Sequence, residues 1–194
     1  MKKAFLLVVI LFVSVISTAC INNLAVQQLN NKAKAYLEQG DYDNAINRLK
    51  ASIDLDNTIF ETHYNLGIAY TQAEKYPEAI DTFKNALKIK PDFIDTYYSL
   101  AVAQENFAKG IIEGSVTADG KAPEKAEQKG GEDEAAKKKD LTKEEKVAVV
   151  QLFNDAIESY NTYLEKAPKV DNKDEIEKSI ESLKAQVAKY SAEK

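Results

Sequence analysis

The chain has 194 residues, of which 44% are hydrophobic and 29% are charged, and its formal net charge is −5. This length allows one domain of ordinary size together with a targeting segment and a linker. An acidic chain without a basic stripe is a poor candidate for nucleic-acid binding. The single cysteine, Cys20, excludes an intramolecular disulfide framework and a thiolate metal cluster, and the single histidine, His63, excludes zinc sites built from several histidines.

The first 19 residues have the pattern of an export signal. Lys2 and Lys3 precede an apolar run from residue 4 to residue 16, and small residues follow it before Cys20. The run is shorter than the roughly 20 apolar residues that a transmembrane helix requires. Its charged, apolar and small-residue regions are typical of a secretory signal peptide.

Cys20 resembles the lipid-modified cysteine of bacterial lipoproteins. Ser17 departs from that pattern, because the family has a branched aliphatic residue three positions before the cysteine. The resemblance implies a lipidated Cys20 at the start of the mature chain and a bacterial membrane location, which is the outer membrane in a Gram-negative species. An ordinary signal peptide, cleaved after the small residues Ser17 and Ala19, and an uncleaved anchor are the two alternatives.

A period of 34 residues runs through the rest of the chain. Small residues recur at Ala33, Gly67 and Ala101, and a second set pairs Ala45 with Ala79. A period of this length predicts repeated structural units. A single unit cannot bury its apolar face alone, so successive units are expected to stack.

The second unit resembles a tetratricopeptide repeat. The residues that carry this resemblance are Tyr64-Asn65-Leu66-Gly67-Ile68-Ala69-Tyr70, Tyr76-Pro77-Glu78-Ala79-Ile80, Phe83, Ala86-Leu87 and Pro91. The resemblance implies an all-α solenoid of about three helical hairpins that binds other proteins.

The third unit is interrupted between its two helices. Ala156, Tyr160 and Pro168 occur in the expected order, but each is displaced by 43 residues. A constant displacement predicts a single insertion, at about residues 108–141. This stretch contains five of the seven glycines and alternating Lys and Glu, which is typical of a linker.

The second helix of the third unit is predicted to start at a capping box that begins with Thr142. This helix would be about three turns longer than usual. Ile111 and Ile112 either cover its added apolar residues or belong to the loop. The apolar face is expected at Val147, Val150 and Phe153, continuing to Ile157 and Tyr160.

Together these patterns divide the chain into five kinds of segment. They are a signal peptide at 1–19, a short lipid-anchored linker at 20–24, three units at 25–59, 60–93 and 94–171, the insertion within the third unit, and an amphipathic capping helix at 172–194.

No pattern indicates a catalytic, metal or cofactor site. His63 stands where tetratricopeptide repeats usually have Trp, and we interpret it as a packing residue. Glu38, Asp41 and Asp43 are too few for calcium, which needs six or more oxygen ligands. The sequence has no glycine-rich phosphate loop and no nucleophile elbow. We therefore expect neither catalysis nor a cofactor.

The expected binding surface is the concave face that tetratricopeptide folds form from the first helix of each unit. Its predicted residues are Tyr64, Asn65, Ile68 and Thr71 in the second unit and Tyr98, Val102 and Glu105 in the third. Small packing residues behind it are predicted at Ala33, Gly67, Ala101, Ala45, Ala79 and Ala156. Tyr64 and Tyr98 are predicted to anchor a partner, and the alternative is that such tyrosines pack between helices.

Some members of the family grip a peptide carboxylate with Lys and Asn in the first repeat, Asn in the second and two basic residues in the third. Here Lys34 and Asn65 match two of those positions, whereas Asp95 and Ser99 replace the basic pair. The resemblance therefore predicts a groove of mixed polarity without a complete carboxylate clamp.

The resulting hypothesis is a lipid-anchored, non-catalytic adaptor that docks a protein or peptide in the bacterial cell envelope, with envelope assembly as the process named by analogy. The alternative is a regulatory or substrate-presenting subunit of an envelope hydrolase. An enzyme of another kind is a third possibility, for which no convergent set of titratable residues is visible.

Overall fold

The computed structural model describes residues 23–121 and 140–192. Within these ranges the chain forms seven α-helices and no strand. They are α1 at 23–38, α2 at Tyr42–Leu55, α3 at Phe60–Gln72, α4 at Tyr76–Ile89, α5 at Asp95–Glu113, α6 at Lys143–Lys166 and α7 at Lys173–Ala192. No helix in the described ranges is long and apolar enough to cross a membrane. The predicted signal peptide, Cys20 and residues 122–139 of the predicted insertion lie outside them.

The helices stack in chain order as three hairpins followed by one further helix. From α2 onward each helix packs against the next, and α3 also touches α5. The first three helices share one buried cluster that includes Ala33, Leu49 and Leu66. A larger cluster extends from α4 to α7, and Tyr70 packs against both. These observations confirm the predicted all-α solenoid of helical hairpins.

The predicted small residues are buried between packed helices. Gly67 on α3 is buried, and a Cβ at this position would lie 2.5 Å from Cε1 of Phe83 on α4. The five alanines of this set have no exposed surface, and they are Ala33, Ala45, Ala79, Ala101 and Ala156. Their size therefore sets the distance between the helices of each hairpin.

The first two hairpins turn with the same backbone geometry. Gly40 and Glu74 are 34 residues apart and both have positive φ, of 73° and 57°. In each turn the next amide closes the loop, as Asp41 N donates to the Tyr36 carbonyl at 2.9 Å and Lys75 N donates to the Tyr70 carbonyl at 2.9 Å. The repeat of the sequence is thus a repeat of backbone conformation.

Both helices of the third hairpin are extended. Helix α5 has 19 residues, whereas α3 has 13, and α6 has 24 residues, whereas α4 has 14. The helix α5 ends at Gly114, whose φ of 73° is readily accessible to glycine. At the start of α6, the Thr142 hydroxyl accepts a hydrogen bond from Glu145 N at 3.1 Å, and Glu145 Oε2 accepts one from Thr142 N at 2.8 Å. The predicted capping box is therefore confirmed.

The first residues of the predicted insertion belong to the core, so the expectation of a linker over its whole length is wrong. Ala108 and Ile111 lie on α5 and are buried in the core, and Val116 is buried beyond the end of the helix. Ser115 and Val116 amides both donate to the Gly110 carbonyl, and Gly120 lies against Pro77 of α4. Ile111 therefore covers the extended helices rather than belonging to a loop.

The apolar face of α6 differs from the prediction at its start. Val147 is 64% exposed, whereas Val149 is buried together with Phe153 and Ala156. The spacing of Val149, Phe153 and Ala156 is four and three residues, which places them on one side of a helix. The final helix α7 buries Ile176, Ile180, Leu183 and Tyr190, as expected for a terminal helix that covers the last hairpin.

Candidate groove on the layer of first helices

The first helices of the three hairpins lie side by side in one layer. Asn30 Nδ2 on α1 donates to Thr62 Oγ1 on α3 at 2.9 Å. The Tyr64 hydroxyl on α3 lies 3.3 Å from Ser99 Oγ on α5. These contacts join α1, α3 and α5 into a continuous surface, which we call the groove face.

The groove face brings most of the predicted binding residues to the surface. Five of them are half-buried, and they are Asn65, Ile68, Thr71, Val102 and Glu105. The Thr71 hydroxyl forms a hydrogen bond within its own helix, in which Oγ1 donates to the Gly67 carbonyl at 2.9 Å. The side chains available for contact with a partner are therefore mainly amide, aliphatic and carboxylate groups.

Tyr64 packs between helices rather than projecting as a free anchor. Its ring lies 5.5 Å from that of Phe93 in an edge-on arrangement and 5.9 Å from that of Phe60. A third ring, that of Phe83, is 6.0 Å away. The Tyr64 hydroxyl also contacts Ser99. These contacts favour the alternative interpretation, in which Tyr64 packs between helices.

Tyr98 occupies the equivalent position in the next hairpin but is 36% exposed. Its ring is 5.8 Å from that of Tyr160 and 5.5 Å from that of Tyr163, both on α6. The residue that corresponds to Phe93 after the third hairpin is Val170, which has no ring to lay against Tyr98. The Tyr98 ring is therefore packed against α6 on one side, and part of the residue remains accessible to solvent.

Glu105 is anchored by two donors from different helices. Its Oε2 accepts from the Tyr160 hydroxyl at 2.8 Å, and its Oε1 lies 2.6 Å from Lys109 Nζ. Burial raises the pKa of the Tyr160 phenol, and the nearby negative charge of Glu105 raises it further. The phenol therefore stays protonated and donates to the carboxylate.

A cleft of about 230 Å³ continues the groove face toward α7. Charged side chains at its rim are Glu105, Lys109, Glu113 and Lys189, and apolar walls come from Ile112, Phe153 and Leu183. The sequence did not predict this cleft or the partnership of Glu105 with Tyr160. These two residues are 55 positions apart across an insertion, so no local spacing signals their contact.

Comparison with known proteins identifies the repeat. Residues 60–93 match the family model of the tetratricopeptide repeat, and residues 33–73 match a second model described as TPR repeat. Residues 33–93 of the chain contain tetratricopeptide repeats. No curated protein matches the sequence.

Solved tetratricopeptide domains have a similar fold at low sequence identity. The first TPR of Spaghetti (RPAP3) bound to HSP90 peptide SRMEEVD is 16% identical with a TM-score of 0.56, and the match covers 85% of this chain and 94% of that one. The Arabidopsis OM64 TPR domain is 12% identical with a TM-score of 0.56, covering 84% and 96%. The TPR2B domain of yeast Sti1 in complex with pHsp70 is 17% identical with a TM-score of 0.55, covering 84% and 98%. At these identities the likeness shows the fold alone.

The residues that match the carboxylate clamp of some tetratricopeptide proteins do not form a basic cluster here. Lys34 is exposed on α1 and Asn65 is half-buried on α3. At the third repeat, Asp95 is exposed and Ser99 is engaged by the Tyr64 hydroxyl. The groove face thus presents a carboxylate at a position where those proteins have a basic residue.

His63 has a structural contact in the tetratricopeptide hairpin. It is buried on α3, and its Nε2 lies 2.8 Å from the Asn57 carbonyl oxygen. Among the described residues, no three His, Cys, Asp or Glu side chains are placed to hold a metal ion together. This contact agrees with the packing role predicted for His63.

Proposed function

We propose that this protein is a non-catalytic adaptor that binds a segment of a protein partner along the groove face of its tetratricopeptide repeats. The observation that carries the proposal is Tyr98, an exposed aromatic side chain in the layer of first helices that is supported from behind by two other rings. Aromatic residues of this kind dominate the energetics of many protein interfaces.

The support behind Tyr98 favours binding for an entropic reason. Ordering a free side chain at an interface costs about 0.5–1.5 kcal/mol. Contacts with Tyr160 and Tyr163 already restrict the ring, so less of this cost remains when a partner arrives. Half-buried Ile68 on the neighbouring helix α3 and half-buried Val102 on α5 itself add apolar surface.

Peptide binding by proteins of similar fold supports the same proposal. The Spaghetti domain is described as bound to an HSP90 peptide, and the yeast Sti1 domain as a complex with pHsp70. Their fold, rather than their sequence, is what this chain shares with them.

We further propose that the adaptor is exported and held at a bacterial membrane through lipid on Cys20. Support comes from the sequence, in which the single cysteine directly follows the apolar run and its small residues. Helix α1 is already formed at residue 23, so only a short linker would separate the lipid from the repeats. The partner would therefore be captured close to the bilayer, as part of envelope assembly.

Site-specific photo-crosslinking tests the adaptor function. A photoreactive phenylalanine analogue would replace Val102 on the groove face and, as a control, exposed Asp81 on α4. We expect a discrete covalent adduct in intact cells from position 102 and none from position 81. Adducts from position 81 alone would contradict the proposed groove. Mass spectrometry of the adduct would distinguish an assembly or secretion component from an envelope hydrolase.

The anchoring proposal has its own test. Cys20→Ser should abolish metabolic labelling with palmitate and move the protein from the membrane fraction to the soluble fraction. Ser14→Ala is a matched control that keeps the cysteine and the three residues before it. Unchanged labelling of the Cys20→Ser variant would exclude lipid at this position.

A further inference from the structure

We propose that the partner segment is basic, and that a lysine or arginine side chain of the partner lies on the exposed ring of Tyr98 between the carboxylates of Asp95 and Glu105. This inference rests on the proposed adaptor function and specifies the chemistry of its ligand. We call these three residues the acidic aromatic patch.

The three residues of the patch share one side of α5. Asp95 precedes Tyr98 by three residues and Glu105 follows it by seven, which are the spacings of neighbours along a helix face. At a rise of 1.5 Å per residue the two carboxylates are about 15 Å apart along the helix axis. An extended basic segment is long enough to reach both while one of its side chains covers the ring.

Tyr98 is suited to a cation because the residue is exposed and its ring is supported by two other rings. A Lys ammonium or Arg guanidinium binds the face of an aromatic ring through the ring's quadrupole. The rings of Tyr160 and Tyr163 back Tyr98 from α6, and 36% of its surface remains accessible. Elsewhere in this protein lysines take such positions, since Lys166 Nζ lies 5.6 Å from the centre of the Tyr97 ring.

A carboxylate lies toward each end of the cluster formed by Tyr98, Tyr160 and Tyr163. Burial and the charge of Asp95 raise the pKa of the Tyr163 phenol, which indicates that the Asp95 carboxylate acts on this cluster. At the other end, Glu105 accepts the hydrogen bond of Tyr160. A cation placed on Tyr98 would therefore be attracted by both carboxylates.

Glu105 already binds an ammonium group, that of Lys109. The Lys109 ammonium lies 2.6 Å from Glu105 Oε1, while the Lys109 side chain remains 53% exposed. The Glu105 side chain is only 13% exposed, so a partner's cation reaches this carboxylate from the side that Lys109 occupies and displaces Lys109. The Tyr160 hydroxyl keeps the carboxylate in place during such an exchange.

The charge of the wider groove face favours the same ligand. Its carboxylates are Glu61 on α3 and Asp95 and Glu105 on α5, and its ammonium groups are Lys34 on α1 and Lys109 on α5, so carboxylates outnumber cations by three to two. The peptide named with the Spaghetti domain, SRMEEVD, ends in an acidic run. Acidic side chains of this kind would meet Asp95 with like charge on this groove face, which therefore disfavours such a peptide.

Two fluorescein-labelled peptides test the inference by fluorescence polarisation with the full chain in detergent. One repeats Ser-Lys-Leu-Gly and the other repeats Ser-Glu-Leu-Gly, so they differ only in the sign of their charge. We expect the lysine peptide to bind more tightly than the glutamate peptide. The variants Asp95→Asn and Tyr98→Leu should each weaken its binding by about threefold to tenfold, whereas Tyr98→Phe should retain it because the ring remains.

The matched control is Asp81→Asn, which removes the same charge from the exposed side of α4. Binding of the lysine peptide should be unchanged in this variant. An equal loss in Asp81→Asn and Asp95→Asn would reveal a diffuse charge effect and overturn the inference, as would equal affinity for the two peptides. Thermal melting of each variant confirms that it is folded before binding is measured.

Failure of this inference and failure of the adaptor function are distinguishable. If position 102 crosslinks to a partner whose captured segment is not basic, the adaptor function stands and the acidic aromatic patch is wrong. If position 102 crosslinks to nothing, the adaptor function itself is wrong.

Discussion

Gly67 lies directly against the ring of Phe83, so closely that a Cβ on Gly67 would come within 2.5 Å of Cε1. The corresponding pair in the first hairpin is Ala33 and Leu49, both fully buried in one cluster. A larger residue on one helix is thus accompanied by a smaller residue on the other. This pairing predicts what happens when the second pair is replaced by the residues of the first.

Gly67→Ala should lower the free energy of unfolding by about 1–3 kcal/mol through overpacking against Phe83. Phe83→Leu alone should also destabilise the protein, because it leaves a cavity. The double variant reproduces the pair of the first hairpin and should be more stable than the sum of the two single effects predicts. Urea denaturation measures all three, and strict additivity would show that the two residues do not constrain each other.

Glu74→Gly should raise the free energy of unfolding by about 1 kcal/mol. Glu74 has a φ of 57°, which costs an L-residue roughly 1–2 kcal/mol and costs glycine much less. The equivalent turn of the first hairpin has a glycine, Gly40, at this position. The converse change, Gly40→Ala, should destabilise the protein, and a gain of stability in that variant would contradict the explanation.

Thr96→Val should leave stability unchanged or increase it by about 1 kcal/mol. The hydroxyl of Thr96 is buried without a hydrogen-bond partner among the described residues, so its removal ends a desolvation cost. Thr62, its equivalent in the preceding repeat, accepts from Asn30 Nδ2 at 2.9 Å. Thr62→Val should therefore be destabilising by about 1 kcal/mol in the same thermal or chemical melt.

Tyr64→Ala and Tyr98→Ala should differ in their effects on stability. Tyr64 contacts three other rings and should cost about 2–4 kcal/mol on truncation, whereas the more exposed Tyr98 should cost less than half as much. Circular dichroism melts report the difference. Equal destabilisation would mean that Tyr98 is as well packed as Tyr64, which would remove it as a preformed anchor.

The sequence predicts that residues 122–139 belong to a linker. Their replacement by a short Gly/Ser segment should therefore change stability only slightly, since each halving of linker length alters the closure entropy by about 0.6 kcal/mol. Val116→Ala should be destabilising by about 1–3 kcal/mol, because this side chain is buried in the core beyond the end of α5. Loss of cooperative melting in the shortened protein would show that the replaced residues pack.

The sequence predicted the fold because the recurring features are local. Small residues 34 positions apart mark the helix contacts, and a constant displacement of 43 residues locates the interruption of the third hairpin. The capping box at Thr142 likewise depends on residues within one turn of helix. Helical periodicity encodes these relationships directly, so no knowledge of distant neighbours is required.

The tertiary structure decided which of these faces is covered and which is open. Tyr64 and Tyr98 have the same place in the period, but Phe93 packs against Tyr64, whereas the residue that corresponds to Phe93 in the third unit is Val170. The ends of the third hairpin were decided in the same way, because Ile111 and Val116 are buried by contacts that the period does not contain. The pairing of Glu105 with Tyr160 spans 55 residues. Spacing along one helix determines which side chains share a face, whereas their exposure depends on the neighbouring helix that packs against that face.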